Sequence, residues 1–356
     1  MNIAVIGVGL VGGSIGLAAR QRLGATVRGF DLGEGVLDAA LGRGVVDRGC
    51  ASVAQAVEGA DTAFVAVPVG ALAETVDEVL AAAGEACVVT DVGSTKRAVL
   101  AGRADPRFVG GHPLAGAETS GVEHARPDLF DGATWYLTPT PSTSGILYQR
   151  LHRTLGGLGA QPAAIDAGAH DRLMASVSHL PHVLANVLVS QAAAAVGEQR
   201  EPLPATGPSF RDATRVAGAN GAIWTDIYLA NRDALVEGID ETVRRLREVR
   251  ESLAAGDAGS VSGWNAAAGD DRRRLLEAQL AGGPAHELRV SVPNRPGVVA
   301  QIALALGRAG INIADMALYP APDMSEGVVA LWIGGDEPAD RAQALVADLG
   351  FPVARP

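Results

Sequence analysis

Lysine is almost absent from this chain: Lys96 is the single lysine among 29 basic residues, and all the others are arginine. A composition this biased replaces lysine wherever arginine serves, so Lys96 either marks a position that needs an ammonium group or is a chance survivor. Cysteine is also scarce. Cys50 and Cys87 stand at no motif spacing, which fits a reducing cytoplasm and predicts neither a disulfide framework nor a metal site.

Long apolar runs, a basic N-terminal segment and a positive net charge are missing as well. No uninterrupted apolar run approaches the ~20 residues that span a bilayer, and no signal peptide is recognisable, so we expect a cytoplasmic protein without a membrane segment. The net charge of −11 argues against a nucleic-acid partner. A chain of 356 residues with 48% hydrophobic and 19% charged residues is typical of a globular protein of two or three domains.

A glycine-rich loop organises the first part of the chain. The apolar run Ile3–Ile6 predicts a buried parallel strand, Gly7–Gly12 follows at once and fits G-x-G-x-x-G, and Leu10–Leu23 predicts a helix. This order is typical of a pyrophosphate site, where backbone approaches the ligand and the helix N-terminus faces the phosphates. Asp31 ends the next strand and favours NAD over NADP, because a carboxylate accepts bonds from a ribose 2′-OH and repels a 2′-phosphate. The residues expected to bind the cofactor are Gly7, Gly9, Leu10, Val11, Gly12, Asp31, Val67 and Pro68.

Strands and helices alternate up to about residue 166. The pattern predicts a Rossmann-type, doubly wound and mostly parallel α/β sheet over residues 1–166. Ser94 and His112 both follow predicted strands, so we expect them in loops on the same edge of the sheet as the glycine loop.

The strands stop after residue 166, and residues 167–281 predict an all-helical domain. Its apolar helix over Ala169–Val196 is expected to be interrupted at Pro181, and Ile223–Leu253 reads as one long helix. Ala255–Gly263 is rich in small residues and reads as a connector. The high apolar content predicts a helical dimer interface, and hence a homodimer. We expect this dimerisation domain also to be the substrate domain, because of the motifs given below.

Strands and helices alternate again over residues 286–356, in a segment short enough for one small domain. The order βαββαβ predicts a ferredoxin-like domain, with the turn Asn294-Arg295-Pro296-Gly297 opening its first helix. Free N–H groups at that turn are suited to an amino-acid carboxylate, and the amide of Asn312 to the polar groups of such a ligand.

The motifs together resemble those of the prephenate dehydrogenases, also called arogenate or cyclohexadienyl dehydrogenases, and the tail resembles an ACT domain. The matching segments are Gly7–Gly12, Asp91–Lys96, Gly111–Gly116 with Glu118 and Gly121, Ser178–His182, and Phe210–Arg215 followed by Trp224. The resemblance implies oxidative decarboxylation of prephenate, in which a ring hydride passes to NAD⁺ and the ring carboxylate leaves as CO₂. The sequence leaves open whether the substrate is prephenate or arogenate, which differ only in a keto or amino group.

The resemblance implies a role for His112 and Ser94 in catalysis. A neutral imidazole at His112 suits the acceptor of the hydroxyl proton, and Ser94 would bond the same hydroxyl. The structural alternatives are a turn residue bonded to backbone for His112 and a helix N-cap for Ser94.

Substrate contacts are expected from residues of the helical domain and one loop. Arg215 is the candidate for binding a substrate carboxylate, because a guanidinium binds carboxylates bidentately. Which of the two carboxylates it binds is left open. Arg211 lies one helical turn earlier and could share its face. His179 and His182 are expected on one helical side. Alternatively, Pro181 breaks the helix beside incidental histidines, and Trp224 is a core residue rather than a pocket wall. The full expected set is Arg215, His179, His182, Ser178, Glu118, Arg211 and Trp224.

Two other functions compete with this interpretation. The β-hydroxyacid and 6-phosphogluconate dehydrogenases share the domain plan but resemble one another in using a lysine from the helical domain, and residues 167–281 contain none. A non-catalytic NAD-linked sensor is the second alternative. The presence of His112, Ser94 and Arg215 within their motifs argues against it. For the tail, tyrosine is the expected effector, with another effector or a purely oligomeric role left open.

Overall fold

The computed structural model describes residues 1–116, 119–196, 206–279, 284–293, 298, 301–302, 305–306, 309–311, 313, 315–321 and 325–356. The chain forms two compact units, Met1–Val243 and Arg244–Pro356. This division differs from the three ranges expected above, whose limits stay a prediction. Glu118, the turn at residues 294–297 and Asn312 lie outside the described residues.

The first unit contains an eight-stranded sheet followed by helices. Its strands in chain order are β1 Asn2–Ile6, β2 Thr26–Phe30, β3 Arg48–Gly49, β4 Thr62–Val65, β5 Val88–Asp91, β6 Phe108–Pro113, β7 Thr134–Thr138 and β8 Gln161–Ala164. The helices between them are α1 Leu10–Leu23, α2 Val36–Gly42, α3 Val53–Val57, α4 Val69–Ala82, α5 Arg97–Leu100 and α6 Gly145–Gly157. The later helices are α7 Ala167–Met174, α8 Leu180–Val196, α9 Pro208–Thr214, α10 Gly221–Ala230 and α11 Arg232–Ala254. The first unit ends within α11, at Val243.

The strand order β3-β2-β1-β4-β5-β6-β7-β8 is that of a doubly wound sheet, as predicted. All the pairs are parallel except β6 with β7. Apolar side chains pack on both faces of the sheet, because the strands of a parallel sheet are buried on both faces. The carboxyl ends of β1, β4, β5 and β6 therefore lie along one edge, where such sheets bind ligands.

His112 lies in β6 itself and not in a loop after it. Its register partner on β7 is Tyr136. The strand continues past the expected turn because β7 runs antiparallel and supplies a ladder for Gly110–Pro113. This pairing corrects both the expected loop and the alternative of a turn residue.

The long helix expected at Ile223–Leu253 is two helices, α10 and α11, separated at Asn231. The side chain of Asn231 is buried and its backbone leaves the helical region, with φ −116° and ψ 25°. Its amide Nδ2 donates to the carbonyl of Asp171 at 2.7 Å. A tertiary hydrogen bond thus fixes a residue that ends one helix just before the next begins.

Pro181 does not interrupt the helix that carries it. A π-helical turn, Ala175–His179, joins α7 directly to α8. Such a turn shifts the hydrogen-bond register, which accommodates a proline that has no N–H to give. The expected helix break at Pro181 is therefore wrong, whereas the role of the histidines stays a prediction.

Apolar surface remains open on the helices of the first unit. The exposed large apolar residues there include Val177, Val187, Leu188, Val189, Ile223, Leu229, Val236 and Val243. The helical span Ala167–Ala194 is long and apolar enough to cross a membrane by length and composition alone. That is weak evidence, because helices packed inside soluble proteins or between their subunits have the same composition, and this one carries buried polar residues of the site described below.

The second unit contains α12 Ala258–Gln279, β9 Ala285–Pro293, β10 Asp315–Pro320, β11 Glu326–Gly334, α13 Asp336–Asp348 and β12 Val353–Ala354. The four strands form an antiparallel sheet of order β10-β11-β9-β12, which is the ferredoxin-like order expected. Much of the predicted connector Ala255–Gly263 is helical. Asp257 accounts for this, since its carboxylate accepts from the backbone N–H of Ser260 at 3.0 Å and caps the start of α12.

Candidate active site

The glycine loop has the geometry of a pyrophosphate cradle. Gly7 has φ +91°, and a Cβ there would lie 2.4 Å from the carbonyl oxygen of Ala66, while one on Gly12 would lie 1.9 Å from the carbonyl oxygen of Gly7. A Cβ on Gly9 would meet nothing within 4 Å. Gly9 also begins α1 without any capping side chain. The loop is therefore tight on its inner side and open where a phosphate would approach the helix N-terminus.

Asp31 lies beside this loop, at the end of β2. Its carboxylate accepts from the backbone N–H of Val8 at 2.6 Å and from that of Gly33 at 2.7 Å. Val67 packs close to Gly7 and Pro68 begins α4, so both lie at the neighbouring strand end. These positions fit a dinucleotide whose ribose reaches Asp31.

The side chain of Lys96 is completely buried, with 0% exposure, and is paired with the equally buried Asp91. Its ammonium also donates to the carbonyl of Gly111 at 2.7 Å. The other bonds of Asp91 come from the backbone N–H of Gly93 at 2.8 Å and of Gly111 at 3.1 Å. Lys96 therefore links the end of β5 to the strand that carries His112. Of the two explanations offered for it, this placement favours a need for an ammonium group.

His112 belongs to a chain of three polar side chains. Its Nδ1 lies 2.9 Å from Nε2 of His170, and Nδ1 of His170 lies 2.9 Å from Oδ1 of Asp171. His170 and Asp171 are completely buried, whereas His112 is half-buried. Within the described part of the chain, Nε2 of His112 makes no hydrogen bond, so it is the ring nitrogen left for a ligand.

The electrostatics of this cluster keep His112 neutral. Burial lowers its pKa well below 6.5, and the charge of Lys96 and the neighbouring His170 and His179 lower it further. Burial also lowers the pKa of His179 to about 4, although Asp171 opposes the shift. For Asp171, burial alone would raise the pKa, but hydrogen bonds from His170, Arg97 and Lys96 hold it below its usual value. The cluster therefore contains the neutral imidazoles of His112 and His179 and the ionised carboxylate of Asp171.

Ser94 follows β5, is half-buried and makes no side-chain hydrogen bond within the described residues. Its alternative role as an N-cap is wrong, because α5 begins only at Arg97. The carboxylate of Asp171 takes that place: it accepts from the backbone N–H of Lys96 at 2.8 Å and of Arg97 at 2.9 Å. The hydroxyl of Ser94 is thereby left available.

His179 and His182 share one side of the helix, as expected, and both contact Trp224. The ring of Trp224 stacks on His182 at 3.7 Å and meets His179 edge-on at 6.2 Å. His182 bonds the hydroxyl of Tyr228. Both histidines are nearly inaccessible, whereas Ser178 and Trp224 are half-buried. Trp224 thus packs against both histidines on one side.

Arg211 and Arg215 stand on and just after the short helix α9, and both are exposed. Arg211 donates to the carbonyl of Thr206 at 2.9 Å. The described contacts do not bring either guanidinium to His112. No group of three or more potential metal ligands occurs among the described residues.

His170, Asp171, Asn231 and Tyr228 were missed by the sequence analysis. The adjacent pair His170-Asp171 was the available signal, since residues of these types are buried only when they are paired or hydrogen-bonded. Nothing in the sequence indicated that the pair meets His112, which lies 58 positions away.

Comparison with known proteins gives the same domain organisation. Residues 15–162 match the family model of the prephenate dehydrogenase nucleotide-binding domain, residues 166–264 that of its dimerisation domain, and residues 286–331 that of the ACT domain. These matches, with the open apolar helix faces, support a dimer that binds small molecules.

Individual relatives agree. The chain is 33% identical to a prephenate dehydrogenase of Bacillus subtilis over 97% of this chain and 95% of that one. A solved prephenate dehydrogenase from A. aeolicus, in complex with hydroxyphenyl propionate and NAD⁺, superimposes with a TM-score of 0.71 at 27% identity, over 77% of this chain and 98% of that one. A solved arogenate dehydrogenase from Synechocystis superimposes with a TM-score of 0.67 at 26% identity, over 77% of this chain and 100% of that one. The chain therefore belongs to the prephenate dehydrogenase family and is an NAD-dependent enzyme.

Proposed function

We propose that this enzyme converts prephenate, NAD⁺ being the oxidant, to 4-hydroxyphenylpyruvate and CO₂, with His112 as the base. The observation that carries the residue assignment concerns Nε2 of the half-buried, neutral His112, which has no hydrogen-bond partner among the described residues. His112 lies at the edge of the sheet where the glycine loop also lies. Bound NAD⁺ supplies the acceptor of the hydride that leaves the ring carbon bearing the hydroxyl.

The proton follows a closed path in this mechanism. Nε2 of His112 accepts it from the substrate hydroxyl as the hydride leaves, since a positioned neutral imidazole suits this transfer. The bond between the ring and its carboxylate then breaks, and the electron pair aromatises the ring and places negative charge on the former hydroxyl oxygen. His112 returns the proton to that oxygen, which becomes the phenol of the product. Ser94 orients the same oxygen.

The test is NADH formation with prephenate and with arogenate, each with NAD⁺ and NADP⁺. Turnover of prephenate with NAD⁺ supports the proposal. Turnover of arogenate but not of prephenate would show that arogenate is the substrate. Arogenate is the second candidate because the chain is similar to the Synechocystis arogenate dehydrogenase. Binding of NAD⁺ without turnover of either substrate would favour a non-catalytic sensor. A cytoplasmic location and the absence of nucleic-acid and membrane partners accompany this proposal.

We expect the cofactor preference to depend on Asp31. The double substitution Asp31→Ser and Leu32→Arg should lower the ratio of kcat/KM for NAD⁺ to that for NADP⁺ by about 10- to 100-fold, the worth of a charge-assisted bond. Leu32 is suited to the arginine because it is 91% exposed beside Asp31. Leu32→Arg alone is the control. An unchanged ratio in the double variant would show that Asp31 is not the selector.

Arg215 should act mainly on substrate affinity. Loss of its charge-assisted bonds in Arg215→Ala should raise KM for prephenate by about 10- to 100-fold, with KM for NAD⁺ unchanged. Arg232→Ala is the matched control, since Arg232 is an exposed arginine beside Asp233 at the start of α11. If KM for prephenate stays at the wild-type value, Arg215 is a surface residue and another cation holds the carboxylate.

Tyrosine is the proposed effector of the C-terminal domain. The support is the ACT match and the ferredoxin-like strand order. Full-length enzyme and a chain ending at Gln279 would be assayed with and without tyrosine. Inhibition lost on truncation supports a separate site. Equal inhibition of both forms would place tyrosine in the active site, and no inhibition of either would direct attention to the other aromatic amino acids.

A further inference from the structure

A buried carboxylate and a second histidine lie directly behind the proposed base. Asp171 Oδ1, the ring of His170 and Nδ1 of His112 form one line of hydrogen bonds, with 2.9 Å at each of the two links. All three groups belong to the first compact unit. His170 is completely buried, so it meets neither substrate nor solvent and any effect on the reaction passes through His112.

With Asp171 ionised and one proton on each imidazole, the line has one consistent direction. An ionised carboxylate can only accept hydrogen bonds, so the proton between Asp171 and His170 lies on Nδ1 of His170. With that as its one ring proton, His170 presents the lone pair of Nε2 as an acceptor. His112 must donate from Nδ1, and its own Nε2 is left with a lone pair. The far end of the line is therefore the acceptor that removal of a hydroxyl proton requires.

The rest of the cluster keeps the carboxylate in its accepting role. Asp171 is fixed by the backbone N–H groups of Lys96 and Arg97 and by the guanidinium Nε of Arg97 at 3.4 Å. Among the described residues, these groups are all donors, and His170 is the remaining contact of the carboxylate. The charged and titratable groups facing the two histidines are Lys96, Asp171, His179 and Tyr136.

We propose that His170 and Asp171 are positioning residues that fix the tautomer of His112, so that Nδ1 carries the proton and Nε2 accepts the one released by the substrate. This inference rests on the proposed function for the identity of the substrate. It assigns no proton transfer to His170 or Asp171: they orient the imidazole of His112 and stabilise the imidazolium that forms during turnover.

The kinetic test replaces His170 and leaves Asp171 intact, because Asp171 also holds the start of α5. His170→Leu removes the acceptor and should lower kcat about 10- to 100-fold, as loss of an orienting partner does, with KM for prephenate and NAD⁺ little changed. His170→Gln keeps an acceptor oxygen and should recover part of the loss. In a His112→Asn background, His170→Leu should have no further effect on kcat. Equal losses in both backgrounds would show that His170 acts elsewhere and would overturn the proposal.

A second measurement does not depend on activity. Imidazole ¹⁵N spectra of the full-length, histidine-labelled enzyme, assigned with the His112→Asn and His170→Gln variants, should show both rings protonated at Nδ1 and Nε2 of His112 unprotonated. A proton on Nε2 of His112 would overturn the proposal even in an enzyme that turns over prephenate. If the tautomers are as stated but neither prephenate nor arogenate reacts, the proposed function fails while the assigned arrangement stands.

Discussion

Replacing His112 by asparagine should lower kcat by roughly 10²–10⁴, the usual contribution of a positioned general base, while KM for prephenate and NAD⁺ changes little. Asparagine fills part of the same volume but has no lone pair basic enough to take the hydroxyl proton. Steady-state kinetics measure both parameters. His152→Asn is the matched control, because His152 is exposed on α6. Near-normal turnover of His112→Asn across the pH range would remove His112 from the chemistry.

The pH profile of the wild-type enzyme provides an independent check on the same residue. His112 accepts a proton only when it is neutral, and burial and Lys96 lower its pKa well below 6.5. The acid limb of kcat/KM should therefore lie below pH 6.5, with activity constant above it. An acid limb centred at 6.5 or higher would show that the essential base is in a more exposed or more negative environment than His112.

Of the proposed substitutions, Lys96→Met, which removes the charge of Lys96, should lower the free energy of unfolding most. Lys96→Met leaves Asp91 buried without a counter-charge, which costs about 3–5 kcal/mol in the free energy of unfolding. Such a loss is a large part of the stability of a typical domain. Urea unfolding followed by circular dichroism measures it.

Three further variants make the Lys96 experiment specific. Lys96→Arg keeps the charge but forces a larger guanidinium into a site with 0% exposure, which should cost about 1–3 kcal/mol. Lys96→Met with Asp91→Asn removes both charges and should be more stable than Lys96→Met alone. Arg274→Met is the control, since its pair with Asp271 is exposed and worth only a few tenths of a kcal/mol, roughly. A Lys96→Met chain as stable as the control would show that the pair does not hold the strand ends together.

Local patterns in the sequence determined the framework of this protein. The glycine loop, the acidic end of β2 and the alternation of strands and helices depend on neighbouring residues, so they predicted the doubly wound sheet, the cofactor and the ferredoxin-like tail. The positions of Ser94 and His112 beside predicted strands likewise placed both residues at the carboxyl ends of β5 and β6. The unusual composition singled out Lys96 before any contact was known.

Tertiary structure decided what those residues contact. The break at Asn231 and the start of α5 at Arg97 follow from bonds to Asp171, a residue 60 positions from the first and 74 from the second. His112 lies within a strand because β7 pairs with it, and its Nδ1 contacts His170, 58 positions away. Helical and strand periodicities describe only near neighbours along the chain, whereas burial, ion pairing and histidine tautomers depend on groups that folding brings together.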